Sequence, residues 1–510
     1  MRKNNLFITS SCLLGALASC YGAFGKNPRP NVILILADDM GIGDIRGLNP
    51  DSQIETPRLD EMCNRGIAFT DAHASSALST PSRYSILTGR YNWRSTKKGG
   101  VLGVMSPPMI ATGRNTIADM FRACGYTTAA IGKWHLGWDW TYKEGKAKTV
   151  DNIDFTKRVA NGPTDRGFDY FYGLTSPSGP PHLYMVNDMA EKQPNTRFED
   201  SGGGLYRIKG GIGHSDWSAD GMQPHLADKM LDYLDDNKNS DKPFFLYMAL
   251  TAPHIPLFPS KEFKGKSRIG DYGDLVMMID DIVGRVNRKL KEIGKYDDTI
   301  VMFAADNGCA GYINMDKINR KGHYPSYIYR GYKSHGWEGG HRIPFILSWG
   351  DRYGHVTDNS LVSLTDLYAD MLGYRTADDE AEDSFSFWPI LDGSGSSART
   401  DLIATSGAGY FTYRTPQYKL IFNAGNGSGD EYRIDGQPPL QFYDMVSDPE
   451  EKVNRIDDPE YAGRIREMAA RVKKYIEDGR STPGAKAAND GGNSWKQITD
   501  IMSGLYAGNR

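Results

Sequence analysis

Continuous apolar runs alternate with amphipathic stretches along residues 27–376. The first run, Asn31–Ala37 (NVILILA), is followed directly by two aspartates. Similar runs occur at Thr127–Ile131, Pro243–Leu250, Thr299–Ala305 and Ile343–Trp349, and stretches with helical periodicity lie between them, including Thr116–Ala123 and Tyr272–Ile293. Apolar runs of this kind are typical of strands covered on both faces. The pattern predicts an α/β fold in which helices sandwich a large, mostly parallel mixed sheet.

The C-terminal part of the chain has a different pattern. Short apolar segments separated by Gly, Pro and Asn occur at Leu402–Thr405, Tyr410–Tyr413, Tyr418–Asn423 and Leu440–Asp444. A helix is predicted to start at Asp458-Pro459 and to stop at Gly479, because these residue types favour the two ends of a helix. We therefore expect a catalytic domain at 27–376 and a smaller α+β subdomain at 377–510, with a short antiparallel sheet and one long helix.

The N-terminus resembles an export signal. A short basic start is followed by the apolar run Leu6–Ala18, which is too short to span a bilayer. Residues 1–20 are the predicted signal peptide, and Leu17–Cys20 (LASC) resembles a bacterial lipobox; ordinary cleavage nearby is the alternative. We expect an exported protein, either periplasmic or lipid-anchored at the envelope. The rest of the chain has no long apolar stretch, so no transmembrane helix is expected in the mature protein.

Charge and cysteine content exclude several function classes. The formal net charge is −3 and the isoelectric point is about 6.4, which does not favour nucleic acid as a partner. Beyond the leader, Cys63, Cys124 and Cys309 do not make a disulfide scaffold, and no spacing suggests a zinc site. Any anion must therefore be recognised by a local cluster of basic side chains.

Polar residues follow the predicted strands. Asp38 and Asp39 come after the first strand, and Asp306 and Asn307 come after Thr299–Ala305. Ligands of open α/β sheets bind beyond the carboxyl ends of the strands, so these side chains are expected to converge there. Their oxygen atoms suit calcium or magnesium.

Basic residues are expected beside this metal site. The set consists of Arg83, Lys133, His135, His254 and Lys333. A divalent ion with several cations around an open space suits a tetrahedral oxyanion. The cluster therefore predicts sulfuryl or phosphoryl transfer, in which catalysis is mainly positioning and charge stabilisation.

Several strings resemble the motifs of a known family. Ser79–Arg90 (STPSRYSILTGR) resembles the sulfatase signature, in which Cys or Ser precedes x-Pro-Ser-Arg and a Leu-Thr-Gly-Arg helix. Further strings match other motifs of the same family and occur in the family's order. They lie at 38–41 (DDMG), 132–137 (GKWHLG), 252–254 (APH), 305–308 (ADNG), 338–344 (EGGHRIP) and 441–449 (QFYDMVSDP). The chain is identified as a member of the formylglycine-dependent, arylsulfatase-type sulfatases of the alkaline phosphatase superfamily. Its serine at the signature position resembles bacterial glycan sulfatases.

The resemblance implies an oxidised nucleophile and a set of roles. Ser79 would be converted to formylglycine (3-oxoalanine) by a serine-type sulfatase-maturating enzyme. Its hydrate can accept the sulfuryl group and then release sulfate by collapsing to the aldehyde. One calcium ion, with magnesium as the alternative, would be bound by Asp38, Asp39, Ser79, Asp306 and Asn307. The resemblance also implies that Arg83 and Lys133 hold the modified residue and the sulfate. His135 would take the diol proton. His254 and Lys333 would contact the sulfate and protonate the leaving alkoxide.

The substrate is expected to be a sulfated carbohydrate, such as a glycosaminoglycan, mucin or algal glycan fragment. The segment 175–188 resembles a pocket-forming loop of bacterial glycan sulfatases, and its His182, Asn187 and Asp188 are candidate sugar ligands. His214 is a further candidate in a second polar segment. An ordinary surface loop, with Asn-Asp as its turn, is the alternative.

Two other functions are compatible with parts of the sequence. A phosphodiesterase or phosphonate monoester hydrolase of the same superfamily would use the same metal and modified residue. One oxygen-ligand metal with two lysines, however, suits a monoanionic sulfate ester better. A non-catalytic glycan-binding protein would leave Ser79 unmodified, and it would not need the complete set of basic residues.

Overall fold

The computed structural model describes residues 29–370, 380–429, 433–492 and 495–503. The predicted signal peptide at 1–20, with Cys20, and the boundary predicted at 376/377 lie outside these ranges. The strands are β1 Asn31–Ala37, β2 Ile67–Phe69, β3 Ala72–His73, β4 Thr127–Lys133, β5 Tyr170–Leu174, β6 Met185–Val186, β7 Met189–Ala190, β8 Thr196–Phe198, β9 Gly211–Gly213, β10 Phe244–Ala249, β11 Thr299–Ala305, β12 Phe345–Trp349, β13 Val356–Asp358, β14 Val362–Ser363, β15 Leu402–Thr405, β16 Phe411–Arg414, β17 Tyr418–Ile421 and β18 Gln441–Asp444. The α-helices are α1 Pro57–Arg65, α2 Ser79–Thr88, α3 Ile117–Ala123, α4 Ala219–Asp236, α5 Asp271–Glu292, α6 Met315–Asn319, α7 Glu338–His341, α8 Leu367–Asp370, α9 Trp388–Leu391, α10 Ala462–Asp478 and α11 Lys496–Met502.

A ten-stranded mixed sheet forms the centre of the molecule. Its strand order is β13-β2-β12-β11-β1-β10-β4-β5-β6-β7. The five strands from β11 to β5 are parallel, whereas β12 is antiparallel to β11. Nearly all residues of these strands are buried, as expected for a sheet covered on both faces. The predicted fold class, a mostly parallel mixed sheet with helices, is confirmed.

The register of the parallel strands brings their carboxyl ends to one edge. Ala37 pairs with Ala305, and Ala249 pairs with Gly132. Gly132 has φ +118°, and a Cβ there would lie 1.8 Å from the carbonyl oxygen of Ala249. Only glycine permits this close approach. The residues that follow these strands therefore meet at one end of the sheet.

A second sheet follows in the chain. Strands β15 to β18 form a four-stranded antiparallel sheet in sequence order. Helix α10 follows a short 3-10 turn that the Asp458 side chain caps. Its last residue is Asp478, and Gly479, with φ +67°, is the C-terminal cap. This confirms the predicted antiparallel sheet and long helix, while α11 was not predicted.

Among the described residues, none of the helices has both the length and the apolar character that crossing a membrane requires.

Candidate active site

Helix α2 places Ser79 and Arg83 on one face. The two residues are four positions apart, so their side chains are neighbours on the helix surface. Every residue of α2 is buried. The Ser79 hydroxyl lies 3.1 Å from Asp38 Oδ1 and 3.3 Å from Asn307 Oδ1. The first residue of α2 therefore lies directly against the predicted metal ligands.

The four predicted metal ligands converge at the ends of β1 and β11. Asn307 Nδ2 donates a hydrogen bond to Asp39 Oδ1 at 2.8 Å, and the Asp39 amide donates to Asp306 Oδ1 at 3.1 Å. Asp39 has φ +68°, a left-handed backbone conformation that is uncommon for residues other than glycine. Three buried carboxylates and one amide oxygen form a hard donor set, so these residues fit a divalent cation of the calcium or magnesium type.

Three long basic side chains neutralise these carboxylates. Lys133 Nζ lies 2.7 Å from Asp38 Oδ2, and Lys333 Nζ lies 2.6 Å from Asp39 Oδ2. The Arg83 guanidinium donates to Asp306 Oδ2 through Nε at 3.0 Å and Nη2 at 2.7 Å. Each predicted carboxylate thus has its own cationic partner, which reduces the cost of burying the charges.

The same contacts determine the ionisation of the carboxylates. Burial alone would raise the pKa of Asp38, but nearby cations, chiefly Lys133, lower it below the ordinary value. For Asp39 burial is likewise outweighed, mainly by Lys333, and the pKa is lowered. Both groups are therefore anionic near neutral pH, as metal ligands must be.

Two histidines face this cluster from different loops. His135 Nε2 lies 3.0 Å from the carbonyl oxygen of Leu102, so this nitrogen carries the proton. His135 Nδ1 is buried and has no hydrogen-bond partner among the described residues. Burial, with the positive charges of Lys133 and Arg83, lowers the pKa of His135 well below its ordinary value. The unpaired Nδ1 is therefore a neutral, basic nitrogen.

His254 has the opposite arrangement. Its Nδ1 lies 2.6 Å from the carbonyl oxygen of Ile255, and its Nε2 lies 3.7 Å from Asp39 Oδ2. Burial and the charge of Lys333 lower the pKa of His254. His254 thus presents Nε2 toward the Asp39 carboxylate, which Lys333 also contacts.

These groups open onto a cavity of about 870 Å³. Ser79, His135, His254 and Lys333 line it together with the segment 100–107. Cavities of roughly 300–1,000 Å³ are typical of ligand sites, so this one is at the large end of the range. It has room for more than the sulfate group and the atoms next to it.

None of the four predicted sugar ligands lines this cavity. His182 is buried and its Nε2 donates to the Lys209 carbonyl at 2.7 Å. Asn187, with φ +54°, lies in the turn between β6 and β7, and Asp188 forms an ion pair with Arg158. His214 lines a separate cavity of about 260 Å³. The structure therefore does not gather these residues beside Ser79.

Two features of the site were not predicted from the sequence. Tyr312 donates a hydrogen bond from its hydroxyl to Asp39 Oδ2 at 3.1 Å. The segment 100–107 supplies a wall of the cavity and the carbonyl that holds His135. Neither carries a motif, although Tyr312 lies only a few residues beyond Asn307.

The fold and the geometry define a class of enzyme. A buried set of hard ligands, a hydroxyl at a helix start and several cations around a cavity form a site for an ester of a tetrahedral oxyanion.

Comparisons with known proteins identify the family. The Sulfatase family model matches residues 30–375. An N-acetylgalactosamine-6-O-sulfatase of Bacteroides thetaiotaomicron is 30% identical over 493 residues, covering 88% of this chain and 94% of its own length. Human arylsulfatase A is 30% identical over 456 residues, covering 84% of this chain and 83% of its own. The chain belongs to the sulfatase family and is a sulfuric ester hydrolase.

A solved structure supports the same assignment. It comes from work on the metabolism of multiple glycosaminoglycans by Bacteroides thetaiotaomicron, and its TM-score is 0.76 at 28% identity. The alignment covers 88% of this chain and 99% of that chain. Members of the family generally use a formylglycine residue and a divalent metal ion.

Proposed function

We propose that the protein removes sulfate from sulfated carbohydrates, with residue 79, oxidised from serine to formylglycine, as the nucleophile. The observation that carries this proposal is the contact of the Ser79 hydroxyl with Asp38 and Asn307, at the floor of a large cavity. Formylglycine supplies a hydrated aldehyde, which can accept the sulfuryl group and release sulfate without a separate water attack on a serine ester.

Asp38, Asp39, Asp306, Asn307 and residue 79 are the proposed metal ligands. Calcium is favoured over zinc because all the donors are oxygens, and magnesium is the alternative. The bound ion would supply positive charge that stabilises the oxygens of the sulfate group. The contacts of these carboxylates with lysine and arginine support the role, because they keep the ligands ionised.

Basic side chains would hold the reacting groups. Lys133 and Arg83 lie beside Asp38 and Asp306, where they can orient residue 79 and a sulfate oxygen. His135 is suited to take a proton from the nucleophile, because its Nδ1 is unpaired and neutral.

His254 and Lys333 would act on the side of the leaving group. Both line the cavity and both approach Asp39 Oδ2. A sulfate placed among them would contact His254 Nε2 and Lys333 Nζ. Lys333, or His254 when its Nε2 is protonated as well, could deliver a proton to the departing sugar oxygen. A sugar alkoxide is a poor leaving group, so this proton is needed.

The 6-O-sulfate of N-acetylgalactosamine is the first substrate to examine, since relatives that act on it are 29–30% identical over more than 80% of this chain. We further propose that the protein is exported, either to the periplasm or with a lipid at Cys20. In that setting a serine-type maturating enzyme would be its partner.

The test is a paired activity screen with enzyme purified from its native host. Intact mass of the peptide containing residue 79 should show a loss of about two hydrogens. We expect release of sulfate from N-acetylgalactosamine 6-sulfate, weak release from the 4-sulfate, and none with Ser79→Ala. Faster hydrolysis of the corresponding phosphate esters would overturn the proposal, as would an unmodified serine in protein without activity.

A further inference from the structure

Lys209 is a cation of the catalytic cavity that the chemistry at residue 79 does not use. Among the residues that the structure describes, the cavity is lined by two lysines, Lys209 and Lys333, and by no Asp or Glu. Lys333 is paired with Asp39. Lys209 is exposed, and its Nζ makes no hydrogen bond or ion pair with the described residues. An unpaired positive charge in a cavity whose described lining carries no carboxylate favours a ligand that brings its own negative charge.

The backbone of Lys209 is fixed, although its side chain is free. His182 Nε2 donates to the Lys209 carbonyl oxygen at 2.7 Å. The His182 ring is 3% exposed and packs on Trp217 and Phe198, with ring centroids 4.3 and 5.0 Å away. His182 is therefore a positioning residue, which anchors the base of the lysine rather than contacting sugar.

Neighbouring segments direct the lysine along the cavity wall. A Cβ on Gly179 would lie 3.6 Å from Lys209 Cδ, so the stem of the lysine passes beside this glycine, which itself lines the cavity. Gly211 has φ +155°, and a Cβ there would lie 2.5 Å from Pro180 Cβ. Asp200 is the acidic side chain that contacts this segment, but its carboxylate accepts from the Gly210 amide at 2.9 Å and lies 4.0 Å from Arg207.

We infer that Lys209 forms an anion subsite, which binds a carboxylate or a second sulfate on the sugar next to the one that loses its sulfate. The inference rests on the proposed function and narrows it to multiply anionic oligosaccharides. A cavity of about 870 Å³ has room for such a neighbouring sugar. An ammonium group binds either anion as a point charge, so the two sources share one chemistry.

The experiment compares Lys209→Ala and Lys209→Arg with the wild-type enzyme on four substrates. These are N-acetylgalactosamine 6-sulfate alone and three disaccharides that carry it beside a uronic acid, a sulfated neutral sugar or an uncharged sugar. Lys473→Ala is the matched control, because it removes a partly exposed lysine of α10 that lies outside the cavity.

We expect Lys209→Ala to raise KM about tenfold for one or both anionic disaccharides, with little change in kcat. KM for the monosaccharide and the uncharged disaccharide should not change, and Lys209→Arg should restore most of the binding. The disaccharide that responds identifies the anion as carboxylate or sulfate. If Lys209→Ala leaves KM unchanged on both anionic disaccharides, the inference about Lys209 is overturned and the sulfatase activity is unaffected. If the wild-type enzyme is inactive on all four substrates, the proposed function is refuted instead.

Discussion

His135 and His254 are held by backbone carbonyls through opposite ring nitrogens. His135 uses Nε2, which leaves Nδ1 free, and His254 uses Nδ1, which leaves Nε2 free. A backbone carbonyl can only accept, so each contact fixes which ring nitrogen carries the first proton, and His254 can donate from Nε2 only when that nitrogen is protonated as well. The same residue type is thereby prepared for two different proton transfers at one site.

The role of His254 can be tested through the leaving group. His254→Ala should lower kcat/KM on a sugar 6-sulfate by about 100-fold or more, because an alkoxide needs the proton. On nitrophenyl sulfate, whose phenolate leaves unaided, the loss should be less than about tenfold. His214→Ala, outside the cavity, serves as the control and should change neither rate. Equal losses on both esters would contradict the acid role.

Helix α1 has an N-terminal cap that comes from another helix. Thr56 makes no side-chain capping bond to α1. Asp280 of α5 instead accepts hydrogen bonds from the amides of Arg58, at 2.9 Å, and Leu59, at 2.8 Å. This contact joins two helices more than 200 residues apart in sequence. It satisfies amides that the start of a helix leaves without partners.

Asp280 gives the stability of this helix pair a pH dependence. Burial raises the pKa of Asp280 from 3.8 to about 7. The folded state therefore binds the proton more tightly than the unfolded state, and stability is lost as the pH rises from about 4 to about 7. Asp280→Asn keeps an acceptor oxygen without the charge. The free energy of unfolding of this variant, relative to wild type, should increase by about 1 kcal/mol per pH unit between pH 5 and 7 and then level off.

Denaturant titrations at pH 5, 6, 7 and 8 measure this difference. Asp281→Asn is the matched control, since its carboxylate faces Arg288 at 3.7 Å on the same helix. The control should show no such slope. A variant difference that stays constant across the pH range would mean that Asp280 does not titrate there.

A buried ionic network joins strand β17 of the four-stranded sheet to helix α7. Lys419 of β17 lies 3.1 Å from Glu338 Oε1 and 2.7 Å from Glu451 Oε1, and all three side chains are fully buried. Glu338 also contacts Arg342 at 2.8 Å. His73 and His341 lie near Glu338 in a group that could geometrically hold a metal, but their Nδ1 atoms face each other at 3.0 Å. The side chains of Lys419 and Arg342 provide positive charge beside Glu338.

Removing the central lysine should destabilise the whole molecule. Lys419→Met would leave the buried Glu451 carboxylate without its cation, while Glu338 keeps Arg342. Breaking a buried pair in this way costs about 3–5 kcal/mol in free energy of unfolding. Lys474→Met, which removes an exposed lysine paired with Asp478, should cost less than about 1 kcal/mol. Urea unfolding of both variants provides the measurement. A loss below about 1 kcal/mol for Lys419→Met would show that the network does not couple β17 to α7 energetically.

The sequence by itself determined the principal strands and the polar residues that follow them. Asn31–Ala37 and Thr299–Ala305 were predicted with the bounds of β1 and β11, because a continuous apolar run is a local property. The convergence of Asp38 and Asp306 also followed from sequence, since parallel strands end at one edge. Their catalytic and metal-binding roles stay predictions.

Only the tertiary structure decided which side chains of the surrounding loops face the cavity. The segment 175–188 was predicted to form the pocket, and its residues 176 and 178–180 line it. His182 was predicted to bind sugar, yet it is buried against Trp217 and anchors the Lys209 carbonyl. The contact of Tyr312 with Asp39 and that of Asp280 with α1 had no signal in the sequence. Loop positions depend on packing between segments that are distant along the chain, and no local pattern of apolar and polar residues encodes that packing.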